Sequence, residues 1–310
     1  MLKKYSFVIP VYNEAGNIIG LDNEIKILIE VQKFNAEIIY INDGSTDATL
    51  SELNTLQNVT IIDLNRNYGQ ATALDAGFKH ATGDIVISLD GDGQNDPADI
   101  PKLLNKLEAD KLDVVAGWRQ VRKDKGGIKI LTRIGRFMRK MLIQDVVHDT
   151  GCTLRVYRKE AVKSLDLQGE MHRYILALLH WKGFKIGEVI VNDRARVHGV
   201  SKYGMSKAVR GFIDLIYIWF IHKYSQRPLH IFGYLSLFVF MCGVILLAYA
   251  TYQKIFLSVG INRSGHFLLG SFSMLTAVIL FSFGIVIDLL IKIHLNGSPY
   301  EKRYYIRSIK

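Results

Sequence analysis

Residues 90–97, with the sequence DGDGQNDP, contain the most informative set of potential metal ligands in the chain. Asp90 and Asp92 are separated by one glycine, so both carboxylates can address a single hard divalent cation from the same loop. Mg²⁺ or Mn²⁺ would suit these oxygen ligands, with substrate phosphates completing the coordination shell. The alternative interpretation is an acidic turn in which Asp96 caps a helix that begins near Pro97.

This loop follows one of five short runs rich in Ile and Val, which cover residues 5–12, 37–42, 59–63, 84–89 and 113–116. Segments with helical spacing lie between them, at 17–33, 48–56, 69–80 and 97–109. This alternation predicts an α/β fold with a mostly parallel sheet and helices on both faces. Ligands of such sheets bind beyond the carboxyl ends of the strands. The polar clusters at 13–14 and 43–45 are therefore predicted to share one edge with Asp90 and Asp92.

Charge is distributed unevenly along the 310 residues. Residues 1–110 hold 8 Lys and Arg against 17 Asp and Glu, whereas residues 111–228 hold 24 against 10. An acidic first part followed by a basic middle argues against a nucleic-acid-binding surface. It suits a protein that holds a cation at one place and phosphate groups at another. The two cysteines, Cys152 and Cys242, are too few for a cysteine metal cluster or a disulfide scaffold.

The basic middle of the chain offers candidate ligands for a phosphate. Arg119 follows the fifth predicted strand, and Arg133 and Arg136 share a helical face with Lys140. A guanidinium group pairs well with a phosphate monoester because it presents two parallel N–H donors. Each single lysine nearby is equally consistent with a solvated surface. As a group, the basic residues are predicted to meet anionic lipid headgroups, at about 1 kcal/mol each.

Two charge-free runs near the C-terminus, residues 231–252 and 267–287, are long enough to cross a bilayer as helices. The alternative is a pair of buried helices in a large soluble domain. Basic residues are denser outside the pair than between its members, which predicts that both termini are cytoplasmic. Residues 203–224 are predicted to form an amphipathic helix in the headgroup plane, or alternatively a core helix.

These segments predict a multi-pass protein of the plasma membrane. The apolar stretch at 5–12 is too short for a signal peptide, so the large domain is expected to stay cytoplasmic. The predicted parts are a catalytic domain at 1–202, an amphipathic juxtamembrane segment at 203–228, transmembrane helices at 229–253 and 267–291, an extracytoplasmic loop at 254–266 and a basic cytoplasmic tail at 292–310.

The strings PVYNE (10–14), NDGSTD (42–47), NYG (67–69) and DGDGQ (90–94) occur in the order and spacing of glycosyltransferase family 2. The chain therefore resembles that family, which implies the GT-A fold. The strings DTGCTLR (149–155) and HGVSKY (198–203), with the paired apolar segments, are similar to the polyprenyl-phosphate glycosyltransferases. That group includes dolichol-phosphate mannose synthase and the bacterial GtrB-type enzymes.

The resemblance implies roles for individual residues toward a nucleotide-sugar donor. The positions implied to hold the base and ribose are Pro10, Tyr12, Glu14 and Asp43. Asp90 and Asp92 match the metal motif, and Gln94 is implied as a further ligand or a diphosphate contact. Ser201 and Lys202 are implied to lie near the diphosphate. Asn42 stands where many relatives have an acid, which weakens any role for that position and leaves Asp43 intact. Asp47 is predicted to have a helix-capping role.

The acceptor side is implied in the same way. Arg119 and Arg133, with Arg136, are implied to clamp the lipid phosphate. Asp149 is implied to lie beside the acceptor, where it orients an arginine or the substrate, or acts as a weak base. The residues implied to be catalytic are Asp92, Arg119, Arg133 and Asp149.

The resulting expectation is a metal-dependent, inverting transfer of a sugar to polyprenyl phosphate. The favoured sugar is glucose or N-acetylglucosamine, the favoured donor is a UDP-sugar, and the favoured acceptor is undecaprenyl phosphate. The product would serve cell-envelope glycan modification. Expected partners are the donor, the acceptor, anionic lipids and further copies of the chain, as a tetramer, but no nucleic acid. The alternatives are a glycosyltransferase that acts on a glycan or glycolipid hydroxyl, and a catalytically silent sugar-nucleotide sensor or scaffold.

Overall fold

The computed structural model describes residues 3–120, 147–194, 219–220, 223, 228–257, 260, 265–296 and 306–309. The chain divides into two compact units. The first comprises Met1–Leu215 and Lys302–Lys310, and the second comprises Ile216–Glu301. Each unit has its own architecture.

The first unit is built on a sheet that has eight strands in the described part of the chain. These are β1 (Lys4–Val11), β2 (Asn35–Asn42), β3 (Thr60–Leu64), β4 (Ile85–Ser88), β5 (Val114–Trp118), β6 (Arg155–Arg158), β7 (Ile186–Ile190) and β8 (Ile306–Ile309). They lie in the order β7-β5-β6-β4-β1-β2-β3-β8. Strands β6 and β8 pair antiparallel with their neighbours and the other pairings are parallel. The predicted mostly parallel sheet is confirmed.

Helices cover both faces of this sheet. They are α1 (Ile18–Gln32), α2 (Thr49–Leu53), α3 (Gln70–His80), α4 (Ile100–Ala109), α5 (Lys159–Lys163) and α6 (Ile175–Trp181), with 3₁₀ turns at Pro97–Asp99 and Met171–Tyr174. Side chains alternate along β1, so Phe7 and Ile9 enter the core that contains α1 and α4, whereas Val8 enters the core that contains α3. A strand buried on both faces reads as a continuous apolar run, which is why β1 and β2 show no polar alternation.

The second unit contains two long apolar helices, α7 (Pro228–Leu257) and α8 (Gly265–Asn296). The spans Leu229–Leu257 and Gly265–Leu290 have mean hydropathies of 2.5 and 2.2, so both are long and apolar enough to cross a membrane.

Glycines let α7 and α8 pack closely against each other. A Cβ added at Gly270 of α8 would lie 2.8 Å from Cγ of Leu247 on α7, and one added at Gly243 would lie 3.1 Å from the carbonyl oxygen of Gly270. Small residues at helix contacts are typical of membrane helix pairs, in which backbones approach closely. Lys254, expected in the connecting loop, instead lies in the last turn of α7.

The predicted amphipathic segment at 203–228 lies almost wholly outside the described residues, of which it contains 219–220, 223 and 228, all helical. Its position in a headgroup plane, and the domain boundaries drawn around it, stay predictions.

Candidate active site

The loops that follow β1 and β2 meet at the carboxyl edge of the sheet, as the strand pattern predicts. The backbone N–H of Asp43 donates to the carbonyl of Val11 at 2.9 Å. The N–H of Asn13 donates to Oγ of Ser45 at 3.0 Å. Parallel pairing of the two strands places their ends side by side, so the residues predicted from the two motifs form one surface.

Asp43 is buried, and each of its carboxylate oxygens accepts a backbone hydrogen bond. The N–H groups of Tyr68 and Gly69 donate at 2.7 and 2.9 Å. Burial raises the pKa of Asp43, and these two bonds oppose that rise. Gly44 lies beside it with φ +64°, and a Cβ there would be 2.3 Å from the carbonyl carbon of Arg66. Asp43 therefore ties the end of β2 to the loop that precedes α3.

The other implied donor residues lie at the same edge. Pro10 is in β1 opposite Ile41, and Tyr12 is exposed. Oε2 of Glu14 accepts from Nδ2 of Asn17 at 2.8 Å. Their contacts with a nucleotide stay predictions.

Asp47, predicted to cap a helix, lies one residue before Ala48, which is the N-cap of α2. Its carboxylate accepts from the N–H of Thr49, the first residue of α2, at 3.0 Å and from the N–H of Ala15 at 3.3 Å.

The two carboxylates of the β4 loop have different surroundings. Oδ1 of Asp90 accepts from Nε2 of Gln70 at 2.7 Å. Burial and the charge of Asp92 raise the pKa of Asp90 to about 7, opposed by Thr153 and the arginine charges nearby. Asp92 is 5% exposed, and its Oδ1 accepts from the N–H of Gln94 at 3.1 Å. Asp96 accepts from the N–H of Ala98 at 3.0 Å and caps the 3₁₀ turn, which is the role that the alternative interpretation of this loop gave it.

The carboxylates of the β4 loop suit one kind of metal site. In the described residues no group of three or more His, Cys, Asp or Glu could hold a metal ion. Two carboxylates on one loop are instead typical of Mg²⁺ or Mn²⁺ that shares its coordination shell with substrate phosphates. Asp90 and Asp92 therefore fit a cation whose remaining ligands are water or substrate phosphates.

Arg119 and Asp149, both implied on the acceptor side, form a buried ion pair with each other. Nε of Arg119 lies 2.8 Å from Oδ2 of Asp149, and Nη2 lies 3.3 Å from Oδ1. Their side chains are 12% and 8% exposed. Burial alone would raise the pKa of Asp149, but the bonds from Arg119 and from the N–H of Gly151 outweigh it and lower that pKa. Asp149 is therefore held as a carboxylate.

Asn95 joins the loop of Asp90 to the segment that carries Asp149. Its Oδ1 accepts from the N–H of Asp90 at 3.1 Å and from Oγ1 of Thr153 at 2.8 Å. Asn95 also forms an isolated bridge with Asp193, whose Oδ1 lies 3.8 Å from Nη1 of Arg119. The carboxylates predicted to bind metal and the Arg119–Asp149 pair thus belong to one connected assembly.

A cleft opens beside Asp90, lined by Gln70, Leu74, Ser88, Leu89, Asp90, Thr153, Arg155 and His172. The buried Arg155 donates to the carbonyls of Thr150 and Cys152, both at 2.8 Å, and so shapes the segment between them. Nδ1 of His172 is buried and has no hydrogen-bond partner in the described part of the chain. Burial and neighbouring arginine charges lower the pKa of His172 to about 3, so its ring is neutral.

His148, which directly precedes Asp149, is 68% exposed but held on two sides. Its ring stacks on Trp118 with a centroid separation of 4.5 Å. The backbone N–H of His148 donates to Oε2 of Glu188 at 2.8 Å, and the ring Nδ1 of His148 forms a hydrogen bond with Oε1 of the same carboxylate. Both partners lie on neighbouring strands, so the ring is fixed next to the Arg119–Asp149 pair.

Four implied site residues, Arg133, Arg136, Ser201 and Lys202, lie outside the described residues. Sequence reasoning assigned no role to Gln70, Asn95, Thr153 or Arg155, although the structure places all four around Asp90. Each had a detectable signal, because Gln70 directly follows the string NYG and the other three lie within DGDGQNDP or DTGCTLR.

The chain is similar to known proteins over most of its length. The family model for glycosyl transferase family 2 matches residues 6–166. Dodecaprenyl-phosphate galacturonate synthase of Rhizobium johnstonii is 34% identical over 98% of this chain and 92% of its own length. Undecaprenyl-phosphate 4-deoxy-4-formamido-L-arabinose transferase of an Enterobacter species is 33% identical over 69% of this chain and 67% of its own length. Both relatives are polyprenyl-phosphate glycosyltransferases by name.

Solved structures confirm the GT-A fold. Glucosyl-3-phosphoglycerate synthase of Mycobacterium tuberculosis, in complex with Mn²⁺, UDP-glucose and phosphoglyceric acid, superposes with a TM-score of 0.55 at 20% identity. The match covers 70% of this chain and 79% of that one. Mannosyl-3-phosphoglycerate synthase of Rubrobacter xylanophilus superposes with a TM-score of 0.57 at 16% identity. That match covers 69% of this chain and 73% of the synthase. At these identities the likeness concerns the fold alone.

Proposed function

The chain belongs to glycosyltransferase family 2, and we propose that it transfers a sugar from a nucleotide-sugar donor to polyprenyl phosphate at a membrane. The similarity to a dodecaprenyl-phosphate enzyme extends over 98% of the chain, so it includes the apolar helices as well as the sheet. The observation that carries the proposal is the assembly centred on Asn95, which links Asp90 to the segment of Asp149. A site for a cation and a site for a phosphate would then be adjacent.

The donor end of the reaction depends on the β4 loop. Asp90 and Asp92, with Gln94, would hold Mg²⁺ or Mn²⁺, which when bound stabilises the negative charge of the departing nucleoside diphosphate. Pro10, Tyr12, Glu14 and Asp43 would contact the base and ribose, and Ser201 and Lys202 the diphosphate. We favour a UDP-sugar as the donor.

The acceptor end needs no strong base. A phosphate monoester is already anionic near neutral pH, so its oxygen needs positioning and desolvation rather than deprotonation. Asp149 has a lowered pKa and is bound at two points by Arg119. Its role in the proposal is therefore to orient Arg119 toward the phosphate, with Arg133 and Arg136 completing the clamp. In-line attack opposite the leaving group would invert the anomeric carbon.

The membrane helices suit a lipid substrate. Removing a polyprenyl chain from a bilayer costs about 0.8 kcal/mol per methylene, so the enzyme has to work at the membrane surface. Helices α7 and α8 would supply the anchor. Strand β8 follows both helices in sequence and pairs with β3 of the catalytic sheet, which supports cytoplasmic placement of both termini. Contacts with anionic headgroups and assembly into a tetramer belong to the same proposal.

The sugar itself stays a prediction, with glucose or N-acetylglucosamine favoured. The two relatives are named for galacturonate and for 4-deoxy-4-formamido-L-arabinose, so a test has to cover acidic and amino sugars too. The full chain in liposomes would be given undecaprenyl phosphate, Mn²⁺ or Mg²⁺, and one radiolabelled donor at a time. The donors are UDP-glucose, UDP-N-acetylglucosamine, UDP-galactose, GDP-mannose and nucleotide-activated galacturonate.

We expect one donor to yield a labelled lipid that is sensitive to mild acid, as a glycosyl phosphate is. The matched control is Asp92→Asn, which keeps the side-chain volume and should give no labelled lipid. Labelling of diacylglycerol instead of the polyprenyl phosphate would favour the hydroxyl-acceptor alternative. Nucleotide-sugar binding with no transfer to any lipid would favour the sensor, and either result would contradict the proposal.

A further inference from the structure

We propose that Gln70 is the positioning residue for the carboxylate of Asp90, and that Asp43 sets Gln70 in place through the backbone of Gly69. This inference rests on the proposed function, because it concerns the same cation site. It adds a residue that contacts neither nucleotide nor acceptor in that scheme.

The contact itself is short and suited to the task. Nε2 of Gln70 donates to Oδ1 of Asp90 at 2.7 Å. An amide donor fixes the orientation of a carboxylate without neutralising its charge, whereas a lysine or arginine in the same place would compete with a cation. The backbone N–H of Asp90 is held by Asn95, so main chain and side chain each have a fixed point. Thr153 also hydrogen-bonds to the Asp90 carboxylate, so without Gln70 that carboxylate would lose one of the side-chain partners that orient it.

Gln70 owes its own position to the residues just before it. It is the first residue of α3, and Gly69 precedes it with φ +94° and ψ 154°. The N–H groups of Tyr68 and Gly69 both donate to Asp43, at 2.7 and 2.9 Å. Two successive bonds to one buried carboxylate fix both the place and the direction in which α3 starts. Asp43 and Asp90 follow different strands, but they are thus linked through the residues at the start of α3.

The expected effect follows from how supporting residues act at metal sites. Partners that orient a metal ligand typically change metal affinity by about 10- to 100-fold when removed. Gln70→Met removes the donor while keeping the length and helix propensity of the side chain. Thr72→Val is the matched control, because Thr72 lies in the same turn of α3 and its hydroxyl contacts the Tyr68 carbonyl rather than Asp90.

The test is a titration of the detergent-solubilised full chain with Mn²⁺ alone, followed by electron paramagnetic resonance of the unbound ion. We expect Gln70→Met to weaken Mn²⁺ binding at least tenfold, and Thr72→Val to leave it within about twofold. Asp43→Asn should also weaken Mn²⁺ binding, since its amide cannot accept both backbone bonds. In the double variant the two effects should not add, because they act through one contact.

Wild-type Mn²⁺ affinity in Gln70→Met, or no Mn²⁺ binding by the wild type, would overturn the inference. Additive effects of Asp43→Asn and Gln70→Met would overturn the part assigned to Asp43. The Mn²⁺ readout is separate from sugar transfer. A chain that shows the Gln70 effect but glycosylates no lipid would contradict the proposed function and leave this inference standing.

Discussion

The guanidinium of Arg119 and the carboxylate of Asp149 bind each other at two points, with an Nε–Oδ2 distance of 2.8 Å. The N–H of Gly151 adds a third bond to the same carboxylate at 3.0 Å. A carboxylate with so many donors is a poor proton acceptor, and a guanidinium so held is rigid. In the proposed function the pair would therefore position Arg119 for the phosphate and would not serve as an acid–base device.

Replacing Asp149 should separate this positioning role from general-base catalysis. Asp149→Ala leaves the buried charge of Arg119 without its main partner, so the free energy of unfolding should fall by about 3–5 kcal/mol. Asp149→Asn should reduce transfer but keep the shape of the rate–pH profile between pH 6 and 8, because the lowered pKa keeps the wild-type residue ionised there.

Thermal unfolding and pH-dependent initial rates check both expectations. Asp110→Asn serves as the control, since Asp110 forms an exposed ion pair with Lys106 that should contribute less than about 1 kcal/mol. If Asp149→Asn removed an acidic limb that the wild type shows, Asp149 would be a base after all.

Asp90→Asn should stabilise the metal-free protein while abolishing transfer. The pKa of Asp90 is raised from 3.8 to about 7, so the folded state binds its proton more tightly than the unfolded state does. Because of this difference, the free energy of unfolding of the wild type falls as pH rises from about 4 to 7. The asparagine variant has no proton to lose and does not show this fall. The side-chain oxygen of asparagine still accepts from Gln70. In EDTA, the gain in melting temperature should be larger at pH 8 than at pH 5, and an equal gain at both would contradict the raised pKa.

Glu37→Gln should lower stability without affecting transfer, because Glu37 lies near the start of β2, at the sheet edge opposite the site. Its carboxylate accepts from Ser6 at 2.5 Å, from Lys4 at 2.9 Å and from the N–H of Thr82 at 2.8 Å. Burial alone would raise the pKa of Glu37, but these bonds lower it from 4.5 to about 2. The partly exposed network should be worth about 1–2 kcal/mol.

The sign of this pH dependence is opposite to that of Asp90. Stabilisation by Glu37 is complete above pH 4.5 and is lost as pH falls toward 2. Acid unfolding curves of wild type and Glu37→Gln should therefore converge at low pH. Curves that stay separated by the same amount at every pH would contradict the assignment.

Gly270→Ile should disrupt the second unit, because a Cβ at Gly270 already lies 2.8 Å from Cγ of Leu247. We expect a lower melting temperature in detergent and no change in Mn²⁺ affinity. Gly233→Ile is the matched control, since a Cβ at Gly233 of α7 has no atom within 4 Å in the described residues. Equal melting temperatures for the two variants would contradict close packing at Gly270.

The parallel part of the sheet could be predicted from the sequence because its strands are buried on both faces. Strands β1 to β5 lie within two residues of the five apolar runs. Strand β6 was missed because its four residues, RVYR, have only two apolar residues, which lie between two arginines and are too few for a recognisable apolar run. Only tertiary packing shows that Arg155 is buried there, with its guanidinium bonded to backbone carbonyls.

The sequence predicted the acidic side chains of the candidate site but not the residues that hydrogen-bond to them. Asp90, Asp92 and Asp149 stand out because acids after apolar strands are chemically distinctive. Their partners are ordinary in type, since Gln70 and Asn95 are uncharged residues whose role depends on which strand ends are neighbours. Orienting an arginine was one of the roles predicted for Asp149, but its pairing with Arg119 in particular could not be predicted, because 30 residues separate the two.

Strand β8 has a consequence for how the protein is made. Ile306–Ile309 is synthesised after α7 and α8, so β3 lacks this neighbour until both apolar helices have been synthesised. During that interval the edge of β3 is unpaired, and an unpaired sheet edge of that kind can pair with other chains. Pairing of β8 with β3 therefore has to wait until both apolar helices have been synthesised.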